Sequence, residues 1–257
     1  MKPLFVIAVV LAPWVSVAAC SSSGDGAKDS GTGAGGRGGG DMVGVPGGPF
    51  MMGCNSADKQ CNADESPYHS VDLSDFSIDR TEVTEADYLA CSAAGVCPAV
   101  QGMQADAIPV HDVAWTTAAA YCAWAGKRLP TEAEWEKAAR GTDGRIYPWG
   151  NAAPTCELAN FGTCAGALVA VGGRNAGASP YGALDMVGNA AEWVADHYAA
   201  DYYAESPTSN PQGPSAGADY VDRGGWYRSS PAQVRSSFRE ANSADTALAY
   251  LGFRCAR

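Results

Sequence analysis

The stretch KRLPTEAEWEKAARGTDGRIYPWG, residues 127–150, decides how the rest of the chain is read. Thr131 stands before a run of good helix formers. Glu134, three positions on, completes a capping box in which side chain and backbone exchange hydrogen bonds. Arg140 and Gly141 then supply a basic last turn and a left-handed stop. The spacing predicts a short helix beginning near Glu132, followed by a rigid corner at Tyr147, Pro148 and Trp149. Glu132, Glu134 and Glu136 cannot all face one way on a helix and are read as an acidic first turn that complements the helix dipole.

Outward from this stretch, regular patterns are few. Thr84 with Asp87 marks the start of a helix through Ala94, and residues 117–125 read as another helix ended by Gly126. Elsewhere short apolar runs are broken by turn residues, with 31 Gly and 15 Pro in the chain. Such spacing implies irregular backbone around a few short strands and helices. No internal repeat is present. The 257 residues suffice for one domain with a real core. A formal net charge of −11 argues against nucleic-acid partners, whose phosphates it would repel.

The N-terminus reads as a targeting segment. Lys2 precedes an apolar run over residues 5–17 that is short for a membrane span, and Val17, Ala18, Ala19 and Cys20 form a lipoprotein-type cleavage box. Residues 1–19 are then a signal peptide and Cys20 is the lipidated first residue of the mature chain. A plain secretory peptide with an incidental cysteine is the alternative. Residues 20–41 contain little that is apolar and read as a flexible tether, reaching roughly 25 Å on average. The folded domain is expected over residues 42–257. Ser21, in place of Asp, beside the lipid site implies a bacterial envelope protein held at the outer membrane and facing away from the cytoplasm.

Nine cysteines are present, and setting Cys20 aside leaves eight, an even number in an exported chain. Cys54 and Cys61, Cys91 and Cys97, and Cys156 and Cys164 are close in sequence; Cys122 and Cys255 are left over. Zinc is the competing reading, but the close Cys-x2-Cys spacing and a nearby His pair are both missing. His69, His111 and His197 stand far apart, with His111 in a strand-like stretch beside Asp112. No G-x-S-x-G elbow supports a hydrolase.

An ordered set of motifs carries a family resemblance. FMMGC (50–54), ESPYHSVDLSDFSIDRTEVTEADY (65–88) and PVHDVAW (109–115) come first. AAYCAWAGKRLPTEAEWEKAARG (119–141), YPWGN (147–151), SPYGALDMVGNAAEW (179–193), RGGWY (223–227) and LGFRCAR (251–257) follow. Together they resemble the formylglycine-generating, sulfatase-modifying-factor family from residue 42 to the end. The resemblance implies a loop-rich α+β domain related to C-type lectins, with little regular secondary structure. It also implies a disulfide between Cys122 and Cys255, worth about 3–5 kcal/mol in the chain-entropy model.

The resemblance further implies a structural calcium site at Asp185, Gly188, Ala190 and Glu192, two carboxylates and two carbonyls suited to a hard cation. The alternative is a turn supported by Asn189, with Glu192 paired to an arginine. A second family calcium site is matched only by Asn160 and Phe161, because GTCAGALVAV (162–171) replaces its acidic segment and Cys156 and Cys164 bracket the loop.

The family's enzymes oxidise a substrate cysteine at copper(I) held by two thiolates shortly after the RGGSY-type motif. Here the segment reads RGGWYRSSPAQVRSSFRE (223–240), Ser229 takes the first cysteine's place, and residues 230–234 offer no second. Copper(I) favours soft sulfur donors, and a serine hydroxyl is a hard, protonated group. What the segment offers is a candidate ligand groove of aromatic and basic groups: Trp226, Tyr227, Arg228, Ser229, Arg235 and Arg239. The leading expectation is an exported lipoprotein whose domain binds a peptide, glycan or protein ligand without copper chemistry. An enzyme tailoring an exported peptide by other chemistry ranks second, and true formylglycine generation last.

Overall fold

Alternating burial sets the N-terminal strands. Val43 and Val45 are buried in β1 (Met42–Val45), Phe50 and Met52 in β2 (Gly48–Met52), and Val71 and Leu73 in β3 (His69–Leu73). The structure, a computed structural model, describes residues 40–257. The expected signal segment, Cys20 and the tether up to residue 39 lie outside the described residues. β1 pairs antiparallel with β4 (Phe76–Asp79), and β2 pairs antiparallel with β3. No helix among the described residues is long and apolar enough to cross a membrane.

Three helices follow: α1 (Glu85–Ala93), α2 (Trp115–Trp124) and α3 (Glu132–Arg140). The capping box expected at Thr131 is formed, and Thr84 with Asp87 forms another at the expected helix start. Thr131 Oγ1 accepts from Glu134 N at 3.2 Å, and Glu134 Oε2 accepts from Thr131 N at 2.9 Å. Arg128 grips the same carboxylate with two bonds of 2.6 and 2.7 Å. Gly141 ends α3 at φ 71°, where a Cβ would also come within 2.9 Å of Pro180 Cγ. His111 is corrected from strand to loop: Asp112 at φ 55° breaks the extended backbone and holds His111 Nδ1 at 2.8 Å.

Between α3 and β5 (Ala191–His197) the described backbone holds a single 3-10 turn, Asn175–Gly177. Then β5, β6 (Asp219–Arg223), β7 (Arg239–Ser243) and β8 (Leu251–Phe253) form one sheet in the order β7-β6-β5-β8, antiparallel except for β5 with β8. β5 is buried on both faces. Val194 joins the core built by β1 to β4 and α3, while Ala191 and Trp193 join the core under α1 and α2. The domain is α+β and loop-rich, as expected.

Every residue of α3 is buried, the expected acidic first turn of Glu132 and Glu134 included. Glu132 accepts from Arg223 Nη1 at 3.0 Å and takes a two-bond fork from Arg239, each bond 2.8 Å. Glu136 accepts from Arg223 Nη2 at 2.6 Å and Arg140 Nη1 at 2.8 Å. Burial alone would raise the Glu136 carboxyl, but Arg223 and Arg140 hold it below its ordinary value.

Four disulfides pair all the cysteines of the described residues: Cys54–Cys61, Cys91–Cys97, Cys122–Cys255 and Cys156–Cys164. The third ties α2 to the segment after β8 across 133 residues of sequence, with Cα atoms 5.6 Å apart. Non-reducing peptide maps should recover a Cys122–Cys255 cross-link. Replacing both by Ala should cost about 3–5 kcal/mol in denaturant unfolding.

Asp222 generates a second test. It is 2% exposed on β6, directly opposite Glu240 on β7, and its hydrogen-bond donor is Asn242 Nδ2 at 2.8 Å. Burial pushes its carboxyl up to about 7, with the Asn242 amide opposing and the Glu240 carboxylate adding. The folded value lies above the ordinary 3.8, so the stabilisation is full below about pH 4 and is lost as pH rises through about 7. Stability should fall over that window by up to about 1.4 kcal/mol per pH unit. Asp222→Asn should flatten this slope in urea titrations; an unaltered slope would assign it to other groups.

Candidate functional site: the loop after β6 and a buried carboxylate centre

The loop after β6 depends on two glycines at φ 88° and 64°, Gly224 and Gly225. A Cβ on Gly225 would lie 2.6 Å from Gln233 O and 2.9 Å from Ser229 Oγ, so the tight turn admits no side chain there. Backbone bonds stitch the loop to its surroundings. Gly188 N donates to Gly224 O, Tyr227 N to Asn189 O, and Gly162 N to Ser229 O, at 2.9 to 3.0 Å. Ser229 is buried, and its Oγ accepts from Trp226 N at 3.0 Å. The Ser229 hydroxyl therefore closes a turn. Val234 is fully buried in the core. With all eight described cysteines paired, this segment presents no thiolate.

The candidate groove residues separate into two groups. Trp226 and Tyr227 are half-buried and Arg228 is exposed. Trp226 stacks on Tyr250 with centroids 4.2 Å apart, Tyr227 stands edge-on to Trp226 at 5.0 Å, and the Arg228 guanidinium lies 5.4 Å over the Tyr227 ring. These four form an aromatic and basic surface. Tyr250 was missed from sequence, although it directly precedes the LGFRCAR motif.

Arg235 and Arg239 are corrected: both are buried and face inward. Arg235 makes two bonds of 2.6 Å to Glu65 and one of 2.8 Å to Asp58, while Arg239 serves Glu132. A guanidinium so engaged has no free fork for a ligand. The nearby group of Cys54, Asp58 and Cys61 converges closely enough for a metal, but its sulfurs are joined to each other.

An apolar cleft of about 230 Å³ lies elsewhere, floored by Trp115, Ala119 and Ala123 of α2 with Ala195 of β5. Its two cations are already committed, Lys127 to Asp79 and Arg128 to Glu134. It carries no catalytic set.

The expected calcium residues surround a turn with three left-handed positions, Asp185, Gly188 and Asn189. A Cβ on Gly188 would meet Asn160 O at 2.4 Å. Asn189 holds the turn through Val169 N, Val169 O, Asn160 Nδ2 and Glu82. Asp185 Oδ2 accepts from Gly172 N at 2.5 Å, leaving Oδ1 without a donor among the described residues. The carbonyls of Gly188 and Ala190 accept no loop or side-chain hydrogen bond there either.

Glu192 is not free. Arg254 forks onto it with two bonds of 2.7 Å, and Trp135 Nε1 adds a third at 2.8 Å. The alternative raised from sequence, Asn189 support plus a Glu192–Arg pair, is therefore formed. Yet the centre also holds Glu82, 2% exposed, whose Oε2 is buried without a hydrogen-bond partner. Burial, then Asp185, pushes the Glu82 carboxyl well above its ordinary value, and burial raises Asp185. Asp185, the orphaned Glu82 oxygen and the carbonyls of Gly188 and Ala190 are oxygen donors of the type a hard cation takes.

Comparison with known proteins agrees with this architecture. Residues 34–257 match the family described as the sulfatase-modifying factor enzyme 1-like domain. The chain is 32% identical to the formylglycine-generating enzyme of Streptomyces coelicolor, over 94% of each. It is 33% identical to the hercynine oxygenase of Mycolicibacterium smegmatis, over 76% of this chain and 56% of that one. Among solved structures, PvdO from Pseudomonas aeruginosa superposes with a TM-score of 0.74 at 27% identity, covering 84% of this chain and 93% of that one. On its fold, its ordered motifs and these matches, the chain belongs to the sulfatase-modifying factor enzyme 1-like family.

Proposed function

We propose that this is an exported lipoprotein, anchored to the bacterial outer membrane through Cys20, whose domain binds a peptide, glycan or protein ligand without copper chemistry. The observation that carries the reading is the state of the loop after β6. Ser229 is locked to the Trp226 backbone, and every described cysteine is in a disulfide. A disulfide sulfur is not a thiolate ligand, and a neutral hydroxyl does not replace one. What the loop offers a ligand is the Trp226–Tyr227–Tyr250 ring cluster with Arg228 at its edge. Ring faces take up sugars and apolar side chains, and an exposed guanidinium takes up a carboxylate.

A second reading is an enzyme of the same fold with different chemistry, acting on an exported peptide. The similarity to a protein named hercynine oxygenase supports keeping it, because one fold then carries more than one reaction. Structural calcium at the turn of Asp185, Gly188, Ala190 and Glu192 accompanies either reading.

Purified oxidised protein given copper and a cysteine peptide of the sulfatase type should form no formylglycine. Ser229→Cys alone should not restore it, since the loop would still lack a second thiolate. Aldehyde on the peptide, seen by mass, would return the oxidase reading to first place.

Anchoring is tested separately. Cys20→Ser should shift the domain from the membrane fraction to the soluble one, or block processing of the leader. A variant that is processed and still sediments with membranes would contradict the lipid anchor.

A further inference from the structure

Among the four described disulfides, Cys54–Cys61 differs in what surrounds it. Its two sulfurs and a carboxylate oxygen of Asp58 all lie within 4.8 Å of one another. Cys54 is 5% exposed and Asp58 9%, whereas Cys61 stands at the surface. Asp58 Oδ2 lies 3.4 Å from Cys54 Sγ, and the Asn55 carbonyl stands 3.9 and 3.7 Å from the sulfurs of Cys54 and Cys61. Arg235 Nη1 approaches Cys54 Sγ to 3.5 Å. Cys91–Cys97 and Cys122–Cys255 are buried. Cys156–Cys164 also reaches the surface, yet among the described residues only Cys54–Cys61 has a third metal-ligating side chain converging on it.

We propose that opening the Cys54–Cys61 bond with a dithiol reductant creates a zinc(II) site formed by the two thiolates and Asp58. A reductant thiolate attacks the exposed Cys61 sulfur, the S–S bond breaks, and Cys54 Sγ leaves with the electron pair. Arg235 faces that leaving sulfur, and a neighbouring cation favours the thiolate. The reductant's second thiolate then displaces Cys61 from the mixed disulfide. The reductant ends as its cyclic disulfide, both cysteines end reduced, and zinc binding then releases their protons. With Zn–S near 2.3 Å, two thiolates stand roughly 3.8 Å apart on a tetrahedral zinc. Rotating the exposed Cys61 side chain supplies that opening, and the Cα atoms are already 5.7 Å apart. A carboxylate among the donors suits zinc better than copper(I), which favours sulfur alone. The fold keeps its clamp, because Arg235 retains two bonds of 2.6 Å to Glu65 when Asp58 turns to the metal.

The test uses the full chain, reduced briefly with dithiothreitol and desalted without oxygen before zinc chloride is added. Alkylation and peptide mapping should find Cys54 and Cys61 labelled while Cys122–Cys255 stays bonded. One zinc ion should then bind, release protons and protect both thiols from alkylation; the unreduced chain should bind none there. Cobalt(II) in place of zinc should give thiolate charge-transfer absorption together with the intense visible bands of tetrahedral coordination. Asp58→Asn should weaken zinc binding roughly tenfold or more, while the reductant still frees both thiols.

Cys156 is exposed as well, so a Cys156→Ser, Cys164→Ser double variant is reduced in parallel and should bind zinc like wild type. Loss of zinc binding in that variant while it stays folded would place the metal at Cys156 and Cys164 and overturn the proposal. A Cys54–Cys61 bond that opens only after Cys122–Cys255, or a reduced chain that loses its near-ultraviolet circular dichroism, would overturn it too. If the double variant does not fold, wild type and Asp58→Asn decide the matter. Thiols at Cys54 and Cys61 left unprotected by zinc would remove the site, and unchanged affinity in Asp58→Asn would remove the carboxylate from it.

Discussion

The structure turns on one electrostatic constraint, the burial of α3 with its charges. Five of its nine residues are Glu, Lys or Arg, and all are buried. Ions in a low-dielectric interior are costly unless they are paired or hydrogen-bonded. The partners come from distant strands. Arg223 at the end of β6 reaches Glu132 and Glu136, lies 5.2 Å over the Trp135 ring, and also donates to the carbonyls of Ser236 and Ser237. Removing one member of such a set leaves another charge uncompensated, typically at 3–5 kcal/mol.

The same lattice holds the loop that faces solvent. Arg223 stands at its start, and its carbonyl partners at residues 236 and 237 stand past its end. One guanidinium thus clamps both ends to α3. Arg235 and Arg239 do the same from the exit side, against Glu65 and Glu132. Trp226, Tyr227 and Arg228 are thereby carried on a short segment between fixed points, which is how a rigid scaffold presents a recognition surface. The arginines that seemed from composition to enrich the groove are what keeps the groove still.

Local signals were legible in the sequence wherever a few neighbouring residues determine the outcome. The capping boxes at Thr84 and Thr131 marked two helices, and the Gly141 stop ended one of them. Motif order placed the strands and the Cys122–Cys255 bridge. The failures have a common cause: their partners are far apart in sequence. Glu132 and Arg223 are 91 residues apart, and Arg235 and Glu65 are 170 apart. Nothing near either residue announces the match, so Glu132 was read without its partners and Arg235 and Arg239 were read as part of a groove. Glu82 escaped for the same reason, because its environment is assembled from β4, the turn before β5 and the chain after β8.

The loop of residues 156–171 is closed by local covalent and hydrogen bonds. Cys156 and Cys164 are bonded with Cα atoms 5.4 Å apart. Asn160 spans the bend inside, its Oδ1 accepting from Ala165 N at 3.3 Å and its Nδ2 donating to Ala167 O at 2.9 Å. The same Nδ2 lies 3.1 Å from Asn189 Oδ1, so this bend leans on the turn beside the carboxylate centre. In the neighbouring loop the Ser229 hydroxyl accepts from Trp226 N at 3.0 Å, so that bend too is closed within itself. What these closures hold in place is the turn before β5, where Asn189 binds both Asn160 and Glu82.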